Sequence, residues 1–264
     1  MRYDFPPTAE DERIEEVNEH ITIVQKKDGI RFGTDAYLLG AFVRPAPQSE
    51  AADLGSGSGV ISLLCLAGGK IRRACAVELQ EEYCALIRRN AERNGLGARL
   101  AVLCGDVRTL RAPALGGHPD IVVSNPPYLR RGAGLRHSSQ RMETARREEN
   151  GTVDDFCAAA SRLLQSGGSF YVVYRPDRLT DLLWALRAVR LEPKRMVTAY
   201  PDPASAPCLT LVEAVKDASP SLLAAPPLCI YRSVTERTYT DAMRRIYNDF
   251  SMEFLFAAGK ERRA

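Results

Sequence analysis

Asp120-Ile-Val-Val-Ser-Asn-Pro-Pro-Tyr128 is the stretch that decides the fold of this 264-residue chain. Ile121, Val122 and Val123 form a short β-branched run bounded by Pro119 and Pro126, the pattern of a buried strand. Asn125 stands where the strand stops. Pro126 and Pro127 fix φ and offer no N–H, and a residue that precedes a proline is pushed away from helical geometry. A stiff backbone therefore holds one amide side chain, and the carbonyls of Asn125 and Pro126, at the end of a strand. Tyr128 adds a flat ring beside them. Two acceptors and a stacking face suit a planar group that bears an NH2, although Asn and Pro also make ordinary turns.

Upstream, Ala51-Ala-Asp-Leu54 reads as the first core strand. It runs into Gly55-Ser-Gly57-Ser-Gly59 and then into an apolar helix over Val60–Leu66. Alternate glycines between strand and helix let a ligand approach the backbone closely. The spacing is Gly-x-Gly-x-Gly, not the Gly-x-Gly-x-x-Gly of a dinucleotide site, which counts against NAD. A second strand, Arg73–Glu78, ends in a carboxylate about twenty residues beyond the glycines, where an acid commonly accepts hydrogen bonds from ribose hydroxyls. Tyr83, Leu86, Ile87 and Ala91 recur on one helix face, and Asn94-Gly95 stops that helix. A third strand, Arg99–Cys104, precedes Gly105-Asp106, an acid able to accept from an adenine amino group.

Downstream, Thr152-Val-Asp-Asp155 opens a helix with a box-like cap, whose buried stripe is Val153, Phe156, Cys157, Ala160, Leu163 and Leu164. Ser166-Gly167-Gly168 turns into a fifth strand, Ser169–Tyr174. Pro176 begins another helix, with Leu179, Leu182, Leu183 and Leu186 inward. A sixth strand lies within 193–200 and a seventh over 209–215, joined by the hairpin loop 202–207. Residues 216–227 read as a loop and 228–231 as an edge strand. Thr240 caps a last helix with Met243, Ile246, Tyr247 and Phe250 along one side.

This alternation predicts an α/β fold: a doubly wound, mostly parallel, seven-stranded sheet with helices on both faces and the last strand antiparallel. Ligands in such sheets bind beyond the carboxyl ends of the strands, where the glycine turn, Glu78, Asp106 and Asn125 all fall. Ahead of the sheet, residues 1–20 are polar and read as an exposed arm. Ile21–Gln25 is expected to pair with Ile30–Phe32 across an Asp28-Gly29 turn. Thr34 or Asp35 is expected to cap a short helix through Phe42. The predicted organisation is an arm, hairpin and short helix over 1–48, one main domain over 49–250 and a tail over 251–264.

An apolar content of 45% allows a full core, and a net charge of +3 permits an anionic partner without arguing for one. The seven cysteines, at 65, 75, 84, 104, 157, 208 and 229, show no Cys-x-x-Cys spacing. They read as reduced buried thiols of a cytoplasmic protein, without disulfides or zinc. The three histidines are scattered, so no metal site is expected. No signal peptide or membrane-spanning run is seen, and a monomer is the default. Residues 129–150 read as a loop that orders on binding. There Arg130, Arg131, Arg136, Arg141, Arg146 and Arg147 are candidate nucleic-acid contacts.

Together these motifs resemble the class I S-adenosylmethionine-dependent methyltransferases, and Asn125-Pro126-Pro127-Tyr128 is similar to the signature of those that methylate planar amino groups. The resemblance implies that Asp53, Gly55, Ser56, Gly57 and Gly59 cradle S-adenosylmethionine, with Glu78 and Leu79 at its ribose side. It implies that Asp106 and Val107 lie at its adenine, and that Thr34 and Asn125 complete the site. Gly29-Ile-Arg-Phe-Gly-Thr-Asp35-Ala-Tyr-Leu-Leu39 further resembles the segment that precedes the glycine turn in bacterial tRNA1(Val) adenine-37 N6-methyltransferases. So do Asp155-Phe156, Arg175-Pro176-Asp177-Arg178-Leu179, Tyr231 and Tyr239-Thr240. Leu129 departs from the aromatic frequent after the signature, which bears on base selection.

The implied reaction is methyl transfer to an exocyclic adenine nitrogen in tRNA. Asn125 and the Pro126 carbonyl would accept its two N–H bonds, and Tyr128 would stack on the base. Methylation of a protein glutamine amide, as in release-factor methyltransferases, uses the same signature. Only about fifty residues precede Asp53, many of them polar, and that favours RNA. An N2-guanine target and a catalytically inactive RNA-binding scaffold are the other readings.

Overall fold

A computed structural model of the protein describes residues 9–27, 33–127 and 151–257. Strands β1 (Glu12–Glu16) and β2 (Thr22–Lys26) form an antiparallel ribbon. Helix α1 (Thr34–Phe42) leads into β3 (Glu50–Leu54), α2 (Val60–Ala67), β4 (Arg73–Glu78), α3 (Glu81–Arg93), β5 (Leu100–Cys104) and β6 (Ile121–Ser124). Then come α4 (Val153–Leu163), β7 (Ser169–Tyr174), α5 (Leu179–Ala188), β8 (Leu191–Tyr200) and β9 (Leu209–Lys216). Short strands β10 (Leu223–Ala224) and β11 (Leu228–Cys229) precede α6 (Asp241–Asp249) and α7 (Phe254–Ala257).

The main sheet runs β8-β9-β7-β6-β3-β4-β5, and only β9 is antiparallel to its neighbours. This is the predicted sheet. β10 and β11 extend its β8 edge. β10 falls in the segment read as a loop, because two residues give no periodic signal. β3 pairs with β4 on one side and β6 on the other. The strand order therefore reverses there, and it is beyond the carboxyl ends at such a point that open α/β sheets bind ligands.

Both sheet faces are covered, so the central strands β6 and β7 read as near-continuous apolar runs. On one face Val153, Phe156, Cys157 and Leu163 of α4 pack with Val122, Phe170 and Val172. On the other, Tyr37, Leu38 and Phe42 of α1 and Leu63 and Leu64 of α2 pack with Val123, Tyr171 and Val173. Each such Leu or Phe contributes roughly 1.5–3 kcal/mol. Thr152 and Asp155 form a full capping box on α4, as read from the sequence. Met252 and Phe256, in the segment read as a tail, are buried against this core. Among the described residues no helix is long and apolar enough to cross a membrane.

Three expectations are corrected. Residues 12–17 are not an exposed arm: β1 is the partner of β2, Glu12 and Val17 are buried, and Arg89 of α3 holds the Glu12 carboxylate through two bonds of 2.8 and 2.9 Å. The proposed partner Ile30–Phe32 lies outside the described residues. Gly33, not Thr34 or Asp35, stands at the N-cap of α1, because the Asp35 carboxylate is engaged elsewhere. Cys84 and Cys104 are joined as a disulfide, their Cα atoms 6.0 Å apart. They meet because α3 packs on β5, a juxtaposition that no sequence spacing announces.

Asn90 ties the ribbon to the glycine turn. Fully buried on α3, it accepts from the Val24 N–H at 2.7 Å and donates to the Val24 and Ser58 carbonyls, each at 3.0 Å. Asn90→Ala leaves those groups unpaired and is expected to cost about 1–3 kcal/mol. The result would be a lower urea midpoint at unchanged slope. An unaltered midpoint would show that the clamp contributes nothing.

Candidate functional site

Register sets the site. Leu54 of β3 lies opposite Val77 of β4 and Ser124 of β6, and Glu78 lies opposite Cys104. The residues that follow, Gly55, Glu78, Gly105 and Asn125, consequently line up along the carboxyl ends of adjacent strands, which are spaced about 4.8 Å apart. Gly55, Gly57 and Gly59 have φ of 71°, 57° and 79°, a left-handed conformation that side chains resist. A Cβ on Gly59 would come within 2.9 Å of Ile87. Ser56 supports the turn, its hydroxyl donating to the Asp53 carbonyl at 2.7 Å.

Two carboxylates back the turn. Glu78 is buried and accepts from the Gly57 N–H at 2.9 Å, the Leu79 N–H at 2.9 Å and the Gln80 N–H at 3.1 Å. A carboxylate offers about four lone-pair positions, so these three bonds leave capacity for a ligand. Asp53 is 1% exposed. Its Oδ2 accepts from the Ser62 hydroxyl at 2.8 Å, while Oδ1 has no partner among the described residues. Burial pushes the Asp53 carboxyl up to about 6, against the pull of Ser62.

Asn125 closes the row. Its Nδ2 donates to Asp35 Oδ2 at 2.9 Å, and its Oδ1 is buried with no partner among the described residues. Pro126 after it is buried. The Ser124 hydroxyl donates to the Leu54 carbonyl at 2.8 Å and locks β6 to β3 just below. At the far end, Arg108 grips Asp106 through both carboxylate oxygens, at 2.9 and 3.0 Å from Nε, and holds its carboxyl below the usual range. Val107 is buried, whereas Leu79 is 42% exposed and offers an apolar face beside Glu78.

Asp53, Gly55, Ser56, Gly57, Gly59, Glu78, Leu79, Asp106, Val107 and Asn125 thus lie on the carboxyl ends of β3, β4, β5 and β6 or in the turns that leave them. Thr34 opens α1, one residue from Asp35. Tyr128 and Arg130, Arg131, Arg136, Arg141, Arg146 and Arg147 lie outside the described residues. Asp35 is the residue that sequence reasoning missed. An acid in the first turn looks like any helix start, and only tertiary structure carries it to Asn125. A cavity of about 340 Å³ between Glu50, Arg73, Arg99 and Gly117 opens at the opposite, amino ends of the strands and shares no residue with this row. Among the described residues no three His, Cys, Asp or Glu side chains are grouped to hold a metal.

Comparison with known proteins agrees with this geometry. Residues 24–183 match the family model described as methyltransferase small domain. The tRNA1(Val) (adenine(37)-N6)-methyltransferase of Bacteroides fragilis strain YCH46 is 28% identical over 191 residues, 72% of this chain and 79% of the relative. The protein of the same description from Serratia proteamaculans is 33% identical over 156 residues, 59% of each chain. Among solved structures, a predicted O-methyltransferase from Agrobacterium tumefaciens superposes with a TM-score of 0.65 at 24% identity, over 83% of this chain and 97% of that one. The Thermus thermophilus 16S rRNA N2 G1207 methyltransferase, solved with AdoMet and guanosine, gives 0.52 at 19% identity, over 80% of this chain and 52% of that one. These structural likenesses establish the fold.

The Asp53 carboxyl gives a test of the site's electrostatics. Its folded-state value, about 6, lies above its ordinary 3.8, so the folded protein holds the proton more tightly. The resulting stabilisation is complete below pH 3.8 and is lost as pH rises through about 6. Asp53→Asn is expected to match the parent at low pH and to be more stable by about 2–3 kcal/mol at pH 8. Unfolding midpoints at both pH values check this. An equal difference at both would contradict a proton held on Asp53.

Proposed function

The chain belongs to the methyltransferase small domain family, and on that premise we propose that it methylates the exocyclic N6 of an adenine in tRNA, of the tRNA1(Val) position-37 kind, with S-adenosylmethionine as donor. The observation that carries this reading is the side-chain oxygen of Asn125, buried at the end of β6 and without a partner among the described residues. The substrate class follows the relatives of Bacteroides fragilis and Serratia proteamaculans. The cytoplasm, where tRNA is found, is the proposed place of action.

When bound, the cofactor supplies a methyl group on a positively charged sulfur. The residues fit such a ligand. The glycine turn admits close backbone approach, and Glu78 retains acceptor capacity for ribose hydroxyls. Asp53 Oδ1, without a partner among the described residues, matches an ammonium group. Leu79, Val107, Asp106 and Thr34 are proposed to border the cofactor, with Asp106 sharing Arg108.

Asn125 and Pro126 handle the amine. The lone pair of an aromatic amine is delocalised into its ring, which makes the nitrogen a poor nucleophile. Two acceptors, Asn125 Oδ1 and the Pro126 carbonyl, hold both N–H bonds out of that plane and return the lone pair to nitrogen. Fixed acceptors do this without reorganising at the moment of reaction. Tyr128 is the proposed stacking face for the base, and the arginines of 130–147 are the proposed phosphate contacts.

Asn125→Ala is expected to lower kcat by about 10²–10³-fold, the scale seen when one preorganised polar group is removed. Its affinity for S-adenosylmethionine, read by calorimetry, is expected to fall far less than kcat. A normal kcat would defeat the assignment. Digested tRNA from a strain that lacks the protein, compared by mass spectrometry, should be short of N6-methyladenosine. An unchanged methyladenosine content would point to another substrate.

A further inference from the structure

We propose that Asp35 is a positioning residue that fixes which end of the Asn125 amide meets the substrate; this rests on the reading of Asn125 as an acceptor for an amine. A carboxamide has two ends of nearly equal size, one donor and one acceptor. Turned one way it accepts from an amine. Turned the other way it sets donor against donor. An ionised carboxylate only accepts, so a carboxylate behind Asn125 forces Nδ2 toward itself and Oδ1 away. The observed pair is of this kind, with Nδ2 2.9 Å from Asp35 Oδ2 and Oδ1 buried without a partner among the described residues.

The carboxylate is itself held. Asp35 Oδ1 accepts from the Ala36 N–H at 2.9 Å in the first turn of α1, where the helix favours an anion. The helix is pinned by its buried residues Ala36 to Phe42. Gly33 makes the room, since a Cβ there would lie 2.6 Å from Asp35 Oδ1. Gly33 has φ of −130°, which any residue adopts, so its lack of a side chain serves the carboxylate and not the backbone. The negative charge also draws the amide N–H forward and enriches Oδ1, which strengthens it as an acceptor.

The test compares the parent with Asp35→Ala, the near-isosteric Asp35→Asn, and Gly33→Ala, which keeps the acid but crowds it. Two readouts are needed: kcat with tRNA at saturating cofactor, and the Asn125 carboxamide signals in ¹⁵N spectra of the cofactor-free protein. Asp35→Ala should lower kcat about 10²-fold, shift the Nδ2 proton signals and speed their exchange. Cofactor affinity should be unchanged. Asp35→Asn, which can still offer an acceptor oxygen, should fall between Asp35→Ala and the parent, and Gly33→Ala should move both readouts in the same direction. Unchanged amide signals in Asp35→Ala would overturn the proposal, whether or not kcat falls. If the parent transfers no methyl to RNA, the substrate reading fails, and the amide signals still decide the role of Asp35.

Discussion

An amide side-chain oxygen, buried with no donor among the described residues, is the constraint around which the site is arranged. Leaving such a group unpaired costs about 1–3 kcal/mol, and few buried polar atoms are left so. Asn125 Oδ1 is one of them, and Asp53 Oδ1, at the end of the neighbouring strand, is another. Both are acceptors, both lie at the carboxyl ends of paired strands, and both are backed by a partner on their second polar atom. Each is held in place through that second atom. Two acceptors in want of donors describe a ligand set rich in N–H.

The fold keeps those acceptors unsatisfied by making rearrangement expensive. β3 and β6 are hydrogen-bonded along their length, capped by the Ser124 to Leu54 bond, and closed on both faces by helices. The charge agrees with the hydrogen bonding. Asp35, Asp53 and Glu78 bring carboxyl groups to the carboxyl-end side of the sheet, which disfavours a phosphate-bearing ligand and favours a cation. That separates this turn from the pyrophosphate-binding turns with which its glycines could be confused. The proposed phosphate contacts are elsewhere in the sequence, in the arginines between 130 and 147.

Much of this was legible in the sequence, for physical reasons. β6 and β7 are near-continuous apolar runs because both sheet faces are covered. The turn needs glycine because its φ values are positive. The α4 cap is visible because its residues are adjacent in sequence. What escaped reading depends on residues far apart. Asp35 meets Asn125 across ninety positions, Cys84 meets Cys104 through a helix packed on a strand, and β1 looks too charged to be a strand until Arg89 is seen to neutralise Glu12. In each case a polar residue had a local interpretation available, a cap, a thiol or an arm, and tertiary packing gave it another partner.

The most direct measurement is the identity of the atom that receives the methyl group. The protein, methyl-labelled S-adenosylmethionine and an unmodified tRNA transcript would be incubated together, and the RNA digested to nucleosides. The account predicts that the label elutes with N6-methyladenosine and that replacing the target adenine by purine, which lacks the amino group, abolishes incorporation. Label on a ring nitrogen, on guanine or on the protein would contradict it.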